Sequence, residues 1–227
     1  MMQSVFVVAA VGAAASFASA ATLADIAITE VYTGTTGEDG TADWIEITNF
    51  GTGSVTLDGL IFDDVSASTT AGDVIPTVTI AQGESIILLI DIGSNATPQE
   101  IADEIADFQS VWDVPTVQVI ATDGGGFGQG GDSAFILQPN GDIVTGATFG
   151  ASTDGFTFEF LPFGNINTPV LSSIGTNGAF ESNAFFNDDI GGANNSITLV
   201  GSPGTIPTPG ALALAGIAGL GAARRRR

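Results

Sequence analysis

Carboxylates dominate the side chains of this sequence that can take part in chemistry. The 227 residues include 25 Asp and Glu, no His and no Cys, and the 4 Lys and Arg are the Arg residues at positions 224–227. A Ser nucleophile would therefore lack an ordinary base. What remains is paired-acid glycosidase chemistry or a carboxylate–metal hydrolase, and the latter needs three or more carboxylates in one cleft. No spacing singles out such a set, so we predict no catalytic residue and no enzyme.

Cation binding is the other chemistry that these carboxylates offer. Clustered acidic residues supply the hard oxygen ligands that Ca²⁺ prefers, although no stretch has the spacing of an EF-hand loop. The hypothesis rests on composition alone, and we predict no cofactor. The candidate ligands are Asp63, Asp64, Asp188 and Asp189, with a further acidic loop at Glu38, Asp39 and Asp43.

The charges are distributed asymmetrically along the chain. No Lys, Arg or His precedes Arg224, and every acidic residue lies between Asp25 and Asp189. A domain folded from that part cannot form an internal salt bridge, so its carboxylates must be solvated, hydrogen-bonded or bound to cations. Binding through phosphate neutralisation is excluded, so nucleic acid is not a partner. Two interpretations stay open: an acidic protein from a saline habitat, or a dedicated cation-binding role.

Short extended runs separated by turn residues predict an all-β domain. The runs are rich in β-branched and aromatic residues, and Gly, Asp, Asn or Ser bound them. The chain is long enough for one core, because single domains usually contain roughly 100–200 residues. The predicted strands cover residues 26–32, 44–49, 55–57, 60–64, 78–80, 85–90, 117–121, 134–137 and 197–200.

One helix is predicted after the strand at 85–90. Thr97 and Glu100 form a capping box, and Pro98 suits the first helical position. We expect the helix to pack on the core and to cap one open end of the β-domain. Its apolar face consists of Ile101, Ile105, Phe108 and Trp112.

Two further features could belong to a binding site but favour a structural explanation. The Gly-rich stretch 123–131 has no Lys and precedes a strand pattern, unlike a phosphate-binding loop, so we predict a mobile hairpin loop. Phe156, Phe158 and Phe160 share one strand face. If exposed, they would form a platform for stacking on sugar rings. The buried, core interpretation is favoured at this spacing.

The opening strands contain an I-x-E-V-Y run at residues 28–32, a Gly/Asp-rich loop, and a W-I-E-I-x-N run at residues 44–49. This pattern resembles the lamin-tail domain family. The resemblance implies an immunoglobulin-like β-sandwich, a common module of secreted bacterial proteins, and it implies no single activity. It extends from Asp25 to about Phe149, and more loosely to Gly204. The matching residues in the opening strands are Ile28, Glu30, Val31, Tyr32, Asp43, Trp44, Ile45, Glu46, Asn49, Val55, Leu57, Gly59 and Asp63.

The N-terminal 20 residues have the pattern of a signal peptide. An apolar run at 5–15 precedes Ala18-Ser19-Ala20, a small-residue cleavage pattern, although no Lys or Arg precedes the apolar run. We predict cleavage after Ala20, which leaves the domain at residues 21–204.

Residues 205–227 resemble a PEP-CTERM sorting tail. Pro207-Thr208-Pro209 precedes an apolar run at 210–223 and the basic end Arg224, Arg225, Arg226 and Arg227. The apolar run is shorter than the roughly 20 residues that span a bilayer, so we expect transient membrane contact. The resemblance implies an exosortase-type processing enzyme as partner, and Thr208 departs from the usual Glu. The alternative is a simple anchor that is not processed.

These features predict an exported, non-catalytic protein of the cell surface or extracellular matrix, associated with exopolysaccharide or with surface proteins. The alternative is a recognition module for an extracellular polysaccharide, assisted by Ca²⁺. An exposed Phe row or a carboxylate-lined groove would favour the alternative. A buried Phe row and a featureless acidic surface would favour the structural role.

Overall fold

The computed structural model describes residues 21–37, 39–123, 125–160, 168–187, 189–190 and 196–205. The predicted signal peptide and nearly all of the predicted tail, including its Pro and Arg residues, lie outside the described residues. Among the helices that are described, none is long and apolar enough to cross a membrane.

Strands account for most of the regular structure in the described part of the chain. The helical elements are a 3₁₀ turn at Leu23–Asp25 and the helix α1 at Pro98–Trp112. The strands are β1 Ile26–Tyr32, β2 Trp44–Asn49, β3 Val55–Leu57, β4 Ile61–Asp64, β5 Asp73–Val74, β6 Val78–Ile80, β7 Ser85–Leu89, β8 Gln118–Ala121, β9 Asp132–Leu137, β10 Ile143–Phe149, β11 Phe158–Glu159, β12 Val170–Leu171, β13 Phe180–Glu181, β14 Phe185–Phe186, β15 Ser196–Ile197 and β16 Val200–Gly201.

Two sheets face each other across the main core. One has six strands in the order β12-β11-β1-β2-β7-β8, and the other has four strands in the order β10-β9-β4-β5. Ile47 and Leu88 from the first sheet and Phe62 and Ile136 from the second belong to one buried apolar cluster. The immunoglobulin-like β-sandwich expected from the resemblance is therefore confirmed.

A β-bulge in β1 decides which face its glutamate occupies. Ile26 and Ile28 face the core, and strict alternation would place Glu30 there too. The register of β1 against β2 shifts between Ile28 and Glu30, so that Glu30 pairs with Glu46. After this shift Val31 faces the core, and Glu30 lies on the outer face of the six-stranded sheet.

The helix covers that outer face. Phe108 and Trp112 pack with Trp44 and Leu89, whose neighbours along β2 and β7 point into the sandwich core. The predicted position at an open end of the sandwich is therefore wrong, although the predicted capping box and apolar face are confirmed. The reason is topological. Strands β7 and β8 are parallel, and parallel neighbours need a crossover connection, which here is the helix.

The later strands differ most from the prediction. The single strand expected at 197–200 is two strands, β15 and β16, which pair with β14 and β13. The Gly-rich stretch does not form a hairpin, because β8 and β9 belong to different sheets. It crosses from one sheet to the other instead. The Gly-rich pattern correctly indicated a loop, but a local pattern does not show which strands pair with each other.

The apolar cluster between α1 and the outer face of the sheet, which includes Trp44, Leu89, Phe108 and Trp112, is called the outer cluster. Replacement of Trp112 tests how much this cluster contributes to stability. The Trp112 ring contacts Trp44 and Phe180 edge-on, with centroid distances of 5.7 and 5.9 Å. We expect Trp112→Ala to lower the free energy of unfolding by about 3 kcal/mol. This is the low end of the usual range for such a change, because the buried indole N–H has no hydrogen-bond partner in the described part of the chain.

The measurement is urea unfolding followed by circular dichroism. Ser110→Ala, at an exposed position two residues earlier on α1, serves as the control and should change stability by no more than about 0.5 kcal/mol. Equal stability of the two variants would contradict a stabilising role for the outer cluster.

Candidate functional site

The acidic pairs predicted as Ca²⁺ ligands are not brought together among the described residues. Asp63 is buried, and its Oδ2 accepts hydrogen bonds from Ser66 Oγ and Ser68 N, both at 2.7 Å. This carboxylate stabilises the turn after β4. Asp64 follows it on the strand, so the two side chains point to opposite faces.

Asp189 is exposed, and its backbone N–H donates to Asn187 Oδ1. Asp188 lies outside the described residues. No group of three or more His, Cys, Asp or Glu side chains in the described ranges is placed to hold a metal ion. The Ca²⁺ site stays a hypothesis for which this structure shows no preformed cage.

The acidic loop before β2 does take part in a site. Two of its carboxylates line a cavity of about 520 Å³ together with three carboxylates from other elements. The loop supplies Asp39 and Asp43, the segment after β7 supplies Asp91, and α1 supplies Glu104 and Asp107. Glu38 lies outside the described residues. We call this recess the acidic cavity; its other lining residues are Thr33, Gly40, Thr41, Ala42, Phe127 and Gln129.

Backbone N–H groups hold the loop carboxylates in place. Asp39 Oδ1 accepts from the backbone N–H and the hydroxyl of Thr35. Asp43 Oδ2 accepts from Phe127 N at 2.6 Å. The N–H of Phe127 belongs to the Gly-rich stretch, whose Gly128 N also donates to Asp132 Oδ2 at 2.7 Å. The Gly-rich stretch therefore binds the protein's own carboxylates, which explains its sequence without a phosphate ligand.

Two glycines leave room for this arrangement. A Cβ at Gly34 would lie 3.1 Å from both Asp39 Oδ2 and Asp43 Oδ1, and its φ of +74° favours glycine in any case. A Cβ at Gly126 would lie 2.5 Å from Asp91 Oδ2. Side chains at these positions would displace the carboxylates of the cavity.

The electrostatics of the acidic cavity favour a proton or another positive charge. Burial raises the pKa of Asp43 to about 7, with the hydrogen bond from Phe127 N–H opposing the rise and the charges of Asp39, Asp91 and Asp132 adding to it. Burial also raises the pKa of Asp39 and of Glu104. A cation in the cavity would relieve this repulsion.

A second carboxyl cluster lies on the outer face of the six-stranded sheet. Glu30 and Glu46 are each only 1% exposed. Glu30 accepts hydrogen bonds from Ser202 N at 2.7 Å, from Ser202 Oγ and from Thr157 Oγ1. Glu46 accepts from Gly204 N at 2.7 Å and from a Thr29 hydroxyl. This buried pair binds the segment after β16 to the outer face of the sheet.

Burial raises the proton affinity of both glutamates. Burial, followed by the charge of Glu46, raises the pKa of Glu30 to about 8. Burial raises the pKa of Glu46 to about 7, against hydrogen bonds from Thr29 and Gly204. Sequence reasoning matched both residues to the family but assigned them no role. The only feature of the sequence that could have indicated their role is the absence of Lys, Arg and His before Arg224. Without positive side chains, a buried carboxylate in the domain needs hydrogen-bond donors or a proton.

The predicted aromatic row is mostly core. Phe158 and Phe160 are buried in the main cluster, at 5% and 4% exposed, whereas Phe156 is 36% exposed. Phe158 also stacks on Phe149, with a centroid distance of 5.2 Å. The core interpretation is thus confirmed for two of the three rings, and no stacking platform forms from them.

The buried pair predicts that stability falls as the pH rises. Both glutamates keep their protons in the folded state where the unfolded chain, with the ordinary Glu pKa of 4.5, has lost them. Their stabilisation is present below that value and is lost as the pH rises through about 7 to 8. For one such group the free energy of unfolding falls by about 1.4 kcal/mol per pH unit.

Urea unfolding should be measured at several pH values between 4.5 and about 8. We expect the free energy of unfolding to fall less steeply with pH for Glu30→Gln than for the wild type. Asp58→Asn removes an exposed carboxylate and is the control. Its free energy of unfolding should change with pH as that of the wild type does. Identical slopes for all three proteins would refute the assignment of the pH dependence to Glu30.

One comparison with known proteins places the chain in a family. The model of the Lamin Tail Domain family matches residues 19–151. None of the curated protein sequences compared with the chain matches it. The family consists of immunoglobulin-like, non-enzymatic domains, in agreement with the observed β-sandwich. Because the match covers more than half of the chain, this protein is a member of the lamin tail domain family.

Proposed function

We propose that this protein is an exported, non-catalytic interaction protein of the cell surface or exopolysaccharide matrix. The acidic cavity is the observation that carries the interaction role. It is a polar recess of about 520 Å³, within the range of roughly 300–1,000 Å³ typical of ligand sites. Its carboxylates come without the nucleophile–base pair that covalent catalysis needs, since the chain has no His and no Cys.

The two ends of the sequence support export. Residues 1–20 have the apolar run and the Ala18-Ser19-Ala20 pattern of a bacterial signal peptide. The tail with Pro207, Thr208, Pro209 and four Arg fits processing by an exosortase-type enzyme after transient membrane contact. The basic end keeps the tail's terminus on the cytoplasmic side and leaves the domain outside.

Export is tested by the mass and N-terminal sequence of the full-length gene product recovered from a bacterial host that makes exopolysaccharide. We expect the recovered protein to begin at Ala21, and to have lost its tail in a host with an exosortase. A variant with Ala18→Leu and Ala20→Leu should stay uncleaved, because signal processing requires small residues there. Wild-type protein that keeps Met1 and remains in the cytoplasm would contradict the proposal.

Polysaccharide recognition is the second candidate function, and the acidic cavity favours it. A carboxylate-lined recess can bind a sugar through a bridging cation or through positive groups on the sugar itself. The buried Phe158 and Phe160 argue against recognition by ring stacking. Sugar binding at this protein should therefore depend on charge rather than on exposed aromatic rings.

A pull-down of the host-processed protein on the host's exopolysaccharide, in Ca²⁺ and in EDTA, tests this candidate. Retention that disappears with EDTA would show a cation-bridged complex. Retention in both conditions would show direct recognition. Phe156→Ala, at the most exposed ring of the row, is the control and should be retained like the wild type. No retention in either condition would refute polysaccharide recognition and leave the structural role.

A further inference from the structure

The acidic cavity is too large, and its carboxylates are too dispersed, for a bare metal ion. Its volume is about 520 Å³. No three acidic side chains in the described part of the chain are placed to hold one metal ion. A positive group that fills this recess must therefore be carried by a larger, organic ligand.

Two threonines that line the cavity have buried hydroxyl groups without a partner among the described residues, a second feature besides the carboxylates. Thr33 and Thr41 line the cavity and are only 2% and 4% exposed. Neither hydroxyl has a hydrogen-bond partner within the described residues. Buried polar groups are nearly always satisfied, and leaving one unpaired costs roughly 1–3 kcal/mol. A ligand that carries hydrogen-bonding groups can provide the missing partners.

Among the described residues, no positive side chain provides a counter-charge in the cavity. No Lys, Arg or His precedes Arg224 in the sequence, and five carboxylates line the wall. An ammonium group offers three N–H donors, which several dispersed carboxylates can share without the strict geometry of a metal site. Gln129, also in the wall, adds an amide for neutral groups of the ligand.

We propose that the acidic cavity binds a primary ammonium group carried by an organic ligand. Amino sugars and polyamines are the two sources of that chemistry. The inference deepens the polysaccharide-recognition function and rests on the interaction role proposed above, because it names the ligand chemistry of the same cavity. Asp39, Asp43 and Asp91 line the β-strand side of the cavity and Glu104 and Asp107 the helix side, so the ammonium group would bind directly to the nearest one or two carboxylates and be attracted by the others.

Titration calorimetry of the full-length chain near neutral pH tests the proposal with four probes at one ionic strength. These are a glucosamine oligomer, its N-acetylated counterpart, spermidine and CaCl₂, with NaCl as the salt control. We expect saturable binding of the glucosamine oligomer, of spermidine or of both, and none of the acetylated oligomer. Which amine binds identifies the source. Absence of binding by both amines, or equal binding of the acetylated oligomer, would overturn the proposal.

A matched pair of helix variants locates the site. Glu104 lines the cavity, whereas the neighbouring Asp103 is exposed and does not. Glu104→Gln combined with Asp107→Asn should weaken amine binding at least tenfold, and Asp103→Asn should leave it within twofold. Urea unfolding of each variant verifies that it is folded. Equal effects of Asp103→Asn and the cavity double variant would overturn the assignment to the cavity.

The exopolysaccharide pull-down separates this inference from the function on which it rests. Retention of the wild type on the exopolysaccharide without binding of either amine in calorimetry would overturn the inference and leave the matrix role standing. Amine binding that the double variant loses would support the inference even if export of the chain failed.

Discussion

The absence of positive side chains before Arg224 is the constraint on which the rest of this structure depends. No buried carboxylate of the domain can be neutralised by an ion pair, so each must be hydrogen-bonded or protonated. The structure uses backbone N–H groups and hydroxyls as the donors. Ser202 and Gly204 serve Glu30 and Glu46, and Phe127 serves Asp43. These hydrogen bonds hold the Gly-rich stretch and the segment after β16 against the sandwich.

Two separate parts of the chain cover the outer face of the six-stranded sheet. One part of this face is apolar and is covered by α1, with Trp112 against Trp44. The other part carries the buried Glu30–Glu46 pair and is covered by the segment after β16. The family match ends at residue 151, yet β11 pairs with β1 inside the sheet. In this chain, residues beyond the family match therefore cover part of the face formed by strands within the match.

In the acidic cavity, the hydrogen-bond donors of the described residues do not balance the charge of the five carboxylates. The cavity walls come from the loop before β2, the segment after β7, the helix and the Gly-rich stretch. Burial and the charges of neighbouring carboxylates raise the pKa of Asp43 there to about 7, so the ionised form of this side chain is disfavoured in the absence of a positive charge nearby. A domain of a non-enzymatic family can use such a recess for recognition, and its position between sheet and helix keeps the carboxylates in a fixed arrangement.

The sequence by itself determined the fold class, most strand positions, the capped helix and the absence of salt bridges, because these follow from local periodicity, capping residues and composition. Only the tertiary structure decided the bulge that moves Glu30 outward, the parallel pairing of β7 and β8, and the placement of α1 on the outer face. It also decided which carboxylates meet. Asp43, Asp91 and Glu104 are far apart in the chain, and each pattern alone marks only a turn, a strand end or a solvent-facing helix position. Their convergence depends on strand register and sheet order, which are set by the free energy of non-local pairing and burial rather than by any local signal.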